Sequence, residues 1–190
     1  MAAEEFLRDL LKEMEAHMQK SLDSTRRELG TIRTGRANPS LLDRVEVDYF
    51  GSRMPINQLG NISVPEPRML VISPWDKKAL PALEKAIMKS DVGLTPNNDG
   101  NVIRLVIPQL TEERRKEMTK TVGRKIEEGK VSVRNIRRDS IETLRSLKKE
   151  GEIAEDEEKR TEEQVQKITD RFIYELDVAQ RGKEAELMEV

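Results

Sequence analysis

Three long stretches of this sequence place their apolar residues on a single helical face, and this spacing limits the folds that the chain can form. In residues 3–29, 111–150 and 155–186, apolar positions recur every three, four or seven residues. A helix with one apolar face is marginal alone in water, because that face must be covered. The sequence therefore predicts an elongated antiparallel three-helix bundle, in which each helix covers the apolar faces of the other two.

The stretch between the first two helices has a different pattern. Val45, Val47 and Tyr49 alternate with two acidic residues, as in a strand with one buried face. Further strands are predicted at 62–64, 69–72 and 102–107, turns at 50–52 and 97–101, and a short helix at 76–90. The predicted fold class is therefore α+β, mainly α, with a small α/β domain inserted into the helical bundle.

These patterns also predict the domain boundaries. Residues 1–30 and 109–190 form the bundle, and residues 31–108 form the inserted domain. The inserted domain includes two connecting segments, 31–40 and 106–108, which Pro39 and Pro108 stiffen. Two short connections permit a hinge motion and prevent free rotation of the inserted domain.

Composition argues against several functional classes. The chain has no Cys, which excludes disulfides, thiolate metal sites and a cysteine nucleophile. Its single histidine, His17, has no second His or Cys to act with, and we interpret it as a surface or seam-edge residue of the first helix. No apolar run approaches the ~18 residues that span a bilayer, and the first residues lack the order of a signal peptide. We therefore expect a cytoplasmic protein that is not an enzyme and has no catalytic residue, metal, cofactor, membrane contact or small-molecule substrate.

The cations of this chain are segregated, although its formal net charge is only −2. Residues 112–149 hold 13 Lys and Arg against 7 Asp and Glu, whereas residues 150–163 hold 2 against 8. On the second long helix most cations lie along one edge beside the apolar face, in an arc of about 100°. This basic edge consists of Lys116, Lys120, Lys130, Arg134, Arg137, Arg138, Arg145 and Lys148. A cationic edge on a stiff helix suits a long anionic surface such as nucleic-acid phosphates.

Ion pairs within the helix are the ordinary explanation of such charges. Arg138 has Glu142 four residues later, but Arg134 and Arg137 have no acidic residue three or four positions away. Like-charged neighbours at these spacings cost a few tenths of a kcal/mol per pair, so an external anion is a reasonable explanation of both arginines. Acidic residues from the other two helices remain an alternative that the sequence leaves open.

The small number of aromatic residues limits the kind of nucleic acid that the chain is expected to bind. The chain has only two Tyr, three Phe and one Trp, so stacking platforms for single strands are missing. We interpret the one tryptophan, Trp75, as a local packing anchor at the start of the short helix, with a contact site as the alternative. Recognition through phosphates and shape then favours structured RNA over a specific DNA site.

Four segments carry a resemblance to a known family. Residues 32–42 read IRTGRANPSLL, 84–87 read EKAI, 110–116 read LTEERRK and 133–139 read VRNIRRD. In this order, and over nearly the whole chain, the sequence resembles the bacterial ribosome recycling factor family. One departure is visible, because Ala154 stands where relatives commonly have a Ser or Thr cap for the third helix.

The resemblance implies an L-shaped protein with two domains joined by a flexible hinge. It also implies a monomeric translation factor that binds the post-termination 70S ribosome on its large-subunit rRNA. With elongation factor G and GTP hydrolysis, such a factor splits the ribosome into subunits. The residues expected to contact RNA are Arg134, Arg137, Arg138, Lys130, Arg115 and Lys116. The residues expected at the hinge are Arg33, Thr34, Gly35, Arg36, Pro39 and Pro108.

Two alternatives belong to other functional classes. A helical adaptor that binds a protein partner without RNA would need an exposed apolar strip outside the bundle seam. A small enzyme housed in the inserted domain would need a polar pocket.

Overall fold

A computed structural model describes residues 2–189. The elements follow the order α1 (Ala2–Gly30), β1 (Glu46–Tyr49), β2 (Ser52–Pro55), α2 (Ile56–Leu59), β3 (Gly60–Glu66), β4 (Met69–Pro74), α3 (Leu80–Lys89), β5 (Pro96–Asn98), β6 (Ile103–Val106), α4 (Glu112–Lys149) and α5 (Glu155–Met188). Short 3-10 helices lie at Pro39–Leu42 and Lys77–Ala79. The described chain divides into a helical unit, residues 2–28 and 120–183, and a mixed unit, residues 29–119 and 184–189.

In the helical unit α1, α4 and α5 pack along their apolar faces. Met18 and Leu22 of α1, Val133 of α4, and Phe172 and Leu176 of α5 are buried at their contact. Ion pairs from Lys148 to Glu158 and from Lys130 to Asp177 run in opposite chain directions, so α4 is antiparallel to α5. The structure confirms the predicted antiparallel helical packing.

A glycine in α4 permits the close approach of the three helices. A Cβ atom added at Gly129 would lie 2.6 Å from Thr25 Oγ1 of α1 and 3.3 Å from Leu176 Cδ2 of α5. Contacts below 3.0 Å require a neighbour to move. The Thr25 side chain is buried and donates a hydrogen bond to the Ser21 carbonyl oxygen at 3.0 Å, so it has little freedom to do so.

The mixed unit is built on a four-stranded antiparallel sheet with the order β3-β4-β6-β5. Leu70 pairs with Leu105 and Ile72 pairs with Ile103 at its centre, and all four side chains are buried. A separate hairpin joins β1 and β2, and α3 packs against β1 and β5. This arrangement confirms the predicted small α/β part of the fold.

Two short strands were absent from the sequence prediction, and both have polar sequences. The strand β2 contains Arg53, and β5 contains Asn97 and Asn98, which the sequence had suggested were part of a turn. Asn98 pairs instead with Ile103, and the turn begins at Asp99. Edge strands with exposed side chains lack the apolar alternation that marks a strand in a sequence.

The interpretation of Trp75 as a packing anchor is wrong, because 72% of this residue is exposed. Its backbone N–H donates to the Leu59 carbonyl oxygen at 2.9 Å, while Leu80 and Leu83 occupy the core instead. Next to it, Tyr49 donates its hydroxyl hydrogen bond to Asp76 at 2.9 Å, which raises the pKa of Tyr49. Trp75 is therefore a surface residue on a fixed backbone.

Candidate nucleic-acid interface

The basic edge is presented by α4, whose start is fixed by local contacts. Thr111 accepts a hydrogen bond at its Oγ1 from the backbone N–H of Arg114 at 3.2 Å, as an N-cap residue does. Glu112 and Glu113 follow in the first turn, where the helix dipole favours negative charge. The rest of the helix carries the basic edge along its length.

The structure divides the six predicted RNA-contacting residues between the two units. Lys130, Arg134, Arg137 and Arg138 belong to the helical unit, whereas Arg115 and Lys116 belong to the mixed unit. Arg134, Arg138 and Lys116 are exposed, and Arg137, Lys130 and Arg115 are half-buried. Lys116 also pairs with Glu112 on its own helix at 2.9 Å. Four of the six predicted residues thus belong to one compact unit.

Acidic residues of α5 neutralise part of the basic edge. Lys130 Nζ lies 2.5 Å from a carboxylate oxygen of Asp177, and only 17% of its side chain is exposed. Lys148 Nζ lies 2.6 Å from Glu158 Oε2, and this hydrogen bond raises the pKa of Lys148. Both lysines thus join α4 to α5 through ion pairs. The alternative that the sequence left open, pairing of Arg134 or Arg137 with acidic residues of the other two helices, is not seen within residues 2–189.

Arg134 has a carboxylate partner on its own helix, at a longer spacing than the three or four residues of the usual helical ion pairs. Its Nη1 lies 2.8 Å from Glu127 Oε1, seven residues earlier. Two helical turns return to the same face, and arginine is long enough to reach back along it. About half of each side chain remains exposed, 47% for Arg134 and 59% for Glu127, so the pair is screened by solvent and weak.

Arg137 and Arg138 are two neighbouring cations of the basic edge that have no acidic partner within residues 2–189, and Lys120 nearer the start of α4 is another. Within residues 2–189, no carboxylate lies within 4.0 Å of either guanidinium group. Arg137 donates from Nη1 to Gln166 Oε1 of α5 at 3.2 Å, a contact that orients the side chain without neutralising it. The predicted partial neutralisation of Arg138 by Glu142 is not seen as an ion pair.

These two arginines border a groove of about 630 Å³ on the surface formed by α4 and α5. The residues that line it are Arg137, Arg138, Ile141, Glu142, Arg145, Lys159, Glu162, Glu163 and Gln166. The groove is open, and its lining residues are mixed in charge. A guanidinium fork binds phosphate oxygens through two parallel hydrogen bonds, so Arg137 and Arg138 suit a nucleic-acid backbone.

Neither a metal-ligand cluster nor a membrane-spanning helix is found among the described residues. Among residues 2–189, no group of three or more His, Cys, Asp or Glu side chains is placed to hold a metal ion. His17 is exposed on α1 and borders a separate groove of about 520 Å³ in the helical unit. No helix in this part of the chain is both long and apolar enough to cross a membrane.

The predicted hinge residues Arg33, Thr34, Gly35 and Arg36 lie in an irregular segment after α1, whereas Pro39 begins the 3-10 helix Pro39–Leu42 and Pro108 follows β6. Thr34 is buried, and its Oγ1 accepts a hydrogen bond from the backbone N–H of Arg36 at 3.2 Å. Arg36 Nε lies 2.5 Å from Glu189 Oε2 at the end of α5. Gly35 and Arg33 are half-buried, and Pro39 and Pro108 are exposed.

The start of α5 shows how the chain compensates for Ala154. Ala154 has no side-chain oxygen to cap the helix, but its backbone N–H donates to Glu157 Oε2 at 2.8 Å. This is half of a capping box, the part in which the third helical residue reaches back to the N-cap. The helix therefore begins where the sequence predicts, with one of the two usual capping contacts.

Comparison with known proteins places these features in one family. The family model described as Ribosome recycling factor matches residues 25–188. Among curated relatives, the ribosome-recycling factor of Heliobacterium modesticaldum is 56% identical over 184 residues, which cover 97% of this chain and 100% of that protein. The ribosome-recycling factor of Desulforamulus reducens is 54% identical with the same coverage.

Solved structures agree with the sequence comparison. The solution structure of a ribosome recycling factor matches with a TM-score of 0.78 and 44% identity, over 97% of this chain and 98% of that one. A second match has a TM-score of 0.70 and 47% identity, over 96% of this chain and 99% of that one. It comes from models of the T. thermophilus ribosome recycling factor and the E. coli elongation factor G bound to the E. coli post-termination complex. The chain described here belongs to the ribosome recycling factor family.

Proposed function

We propose that this protein binds the post-termination ribosome and, together with elongation factor G, splits it into subunits. Family membership supports this function, as does the structural match to a relative bound to a post-termination complex with that elongation factor. Since ribosomes are the proposed target, the protein acts in the cytoplasm. The alternative of an RNA-independent adaptor is not favoured by this family membership.

The helical unit is the proposed RNA-binding part. The observation that carries this assignment is the unneutralised pair Arg137 and Arg138, which projects from a stiff helix beside an open groove. Arg134 adds a third guanidinium group, because its exposed pair with Glu127 can exchange for a phosphate contact. Lys130 contributes positive charge nearby but is held by Asp177, so its contact with RNA is secondary.

The protein itself performs no bond chemistry in this proposal, and GTP is hydrolysed by the elongation factor. The mixed unit transmits motion, with segments 31–40 and 106–108 as the hinge. The irregular backbone of residues 31–38 supports this role, since a hinge needs residues that can change their dihedral angles without breaking a helix or a strand.

Charge reversal on α4 tests the RNA contact. The double variant Arg137→Glu/Arg138→Glu is expected to weaken ribosome binding by at least about 100-fold. It is also expected to make the negative slope of log affinity against log salt concentration less steep by about two. The reason is the loss of two phosphate contacts and the repulsion that the new carboxylates add. Binding is measured by co-sedimentation with ribosomes at several salt concentrations.

A matched control separates the site from bulk charge. Arg8→Glu/Lys167→Glu changes the net charge equally, at two exposed positions of the helical unit outside α4 that lack an ion pair within residues 2–189. We expect near-normal binding from this control and unchanged helicity from both double variants. Equal loss of binding in both would show that net charge, and not this pair of arginines, governs the interaction.

A further inference from the structure

Arg33 has a buried donor that the fold does not satisfy. Among residues 2–189, its Nε is the buried side-chain nitrogen or oxygen atom without a hydrogen-bond partner, and no carboxylate lies within 4.0 Å of its guanidinium group. Its Nη1 lies 3.4 Å from the place where a Cβ would be at Gly93, whose φ is +68°. A buried N–H without an acceptor is unfavourable, so the position of this arginine needs a reason other than packing.

Arg33 lines a cavity of about 300 Å³ together with Arg44 and Arg114. All three residues belong to the mixed unit, and Asp91 is the one carboxylate among the lining residues. Three guanidinium groups against one carboxylate leave two positive charges in excess.

Neither of the other two arginines is firmly neutralised. Within residues 2–189, no carboxylate lies within 4.0 Å of the guanidinium group of Arg44. Arg114 pairs with Glu117 at 2.7 Å, but the two side chains are 62% and 61% exposed. Exposed pairs of this kind contribute little and exchange readily, so the guanidinium of Arg114 is available to an anion.

We propose that this cavity is an anion site that binds a phosphate group. A phosphate monoester carries about two negative charges at neutral pH, which matches the excess positive charge, and its oxygens accept from guanidinium forks. It would lie beside the guanidinium group of Arg33, which has no carboxylate within 4.0 Å among residues 2–189. The same chemistry is offered by a backbone phosphate of RNA and by a free phosphate compound. This site is distinct from the basic edge of the helical unit and does not depend on the proposed function.

The test is a titration of the full-length protein with inorganic phosphate, monitored through the NMR signals of the arginine Nε–H groups. Binding is expected to shift the Arg33 signal. Arg33→Gln and Arg44→Gln are each expected to weaken the affinity by at least about ten-fold, because each removes a charged donor. Asp91→Asn is expected to strengthen phosphate binding, because it removes the negative charge among the lining residues. Arg53→Gln, at an 82% exposed side chain of the same unit that does not line this cavity, should leave it unchanged.

Competition then identifies the source of the phosphate. Displacement of inorganic phosphate by a short RNA hairpin points to backbone phosphates, and displacement only by free phosphate compounds points to a small ligand. The proposal is overturned if phosphate leaves the Arg33 signal unmoved, or if Arg44→Gln binds phosphate as tightly as Arg53→Gln does. Should Arg33→Gln fail to fold, the Arg44 and Asp91 variants still decide the question. No ribosome is used, so a negative result leaves the proposed function untouched.

Discussion

At the scale of single residues, Gly129 sets how closely three helices can approach. The atoms nearest to its missing Cβ come from α1 and α5, and the first of them is a buried, hydrogen-bonded hydroxyl at 2.6 Å. Gly123 and Gly182 occupy other helical positions of the same unit, where an added Cβ would meet nothing within 4 Å. The three glycines therefore share a helical backbone and differ in their surroundings.

We predict opposite effects of alanine at these positions. Gly129→Ala is expected to lower the free energy of unfolding by about 1–2 kcal/mol, because overpacking outweighs the gain in helix propensity. Gly123→Ala is expected to raise it by about 0.5–1 kcal/mol, because only the propensity gain remains. Both values follow from urea denaturation of the purified proteins.

Thr25→Ala removes both Thr25 atoms that a Cβ at Gly129 would meet. In a double-mutant cycle it should therefore cost less in the Gly129→Ala background than in the original chain. Additive effects of the two substitutions would contradict the steric explanation.

At the scale of elements, α5 begins with an incomplete cap. Glu157 accepts from the backbone N–H of Ala154, but no side chain at position 154 accepts from the first turn of the helix. We predict that Ala154→Ser completes the capping box and stabilises the protein by about 0.5–1 kcal/mol. Thermal melting measures the change.

Glu157→Ala provides the opposite case, since it removes the contact that is present. It is expected to lower the melting temperature, and Ala154→Ser should recover less in this background than in the original chain. An equal gain in both backgrounds would mean that the two halves of the cap act independently.

Elements with a strong apolar period were predictable from the sequence, and those without one were not. The bounds of α1, α4 and α5 follow from single apolar faces, because burial of such a face determines where a helix is stable. The short strands that contain Arg53 and Asn98 have no apolar period, because they form through backbone pairing with a neighbouring strand. Their polar residues therefore gave no sign of a strand in the sequence.

The candidate site likewise has features that the sequence predicts and contacts that it does not. The position of Arg137 on the basic edge follows from the helical period, whereas its contact with Gln166 depends on how α5 is aligned with α4. The pairing of Lys130 with Asp177 depends on the same alignment, which the sequence of either helix alone does not specify.

At the scale of the whole molecule, the proposed function assigns RNA binding to the helical unit and transmission of motion to the mixed unit. The proposed hinge segment ends the first helix of one unit and leads into the other, and Arg36 in this segment contacts Glu189 at the end of α5. Because the chain contains no cysteine, a cross-link introduced here would be specific.

We predict that a short thiol cross-link between Arg36→Cys and Glu189→Cys preserves ribosome binding and slows subunit splitting by at least about ten-fold, because it fixes the proposed hinge segment to the residue that follows α5. Splitting is followed by light scattering in the presence of elongation factor G and GTP. The matched control joins Arg104→Cys to Asp99→Cys, an ion pair of the mixed unit outside the hinge, and should split ribosomes normally. Normal splitting by the hinge cross-link would eliminate the hinge proposal.

The outward position of Trp75 has a practical consequence. It is the single indole of the chain and lies in the mixed unit, whereas Tyr174 lies in the helical unit. Because 72% of Trp75 faces solvent, its fluorescence should be red-shifted and readily quenched by iodide. Trp75 is thus an intrinsic fluorescent reporter. A macromolecule that covers this face would shift the emission of Trp75 to shorter wavelength, so its binding could be measured without an added dye.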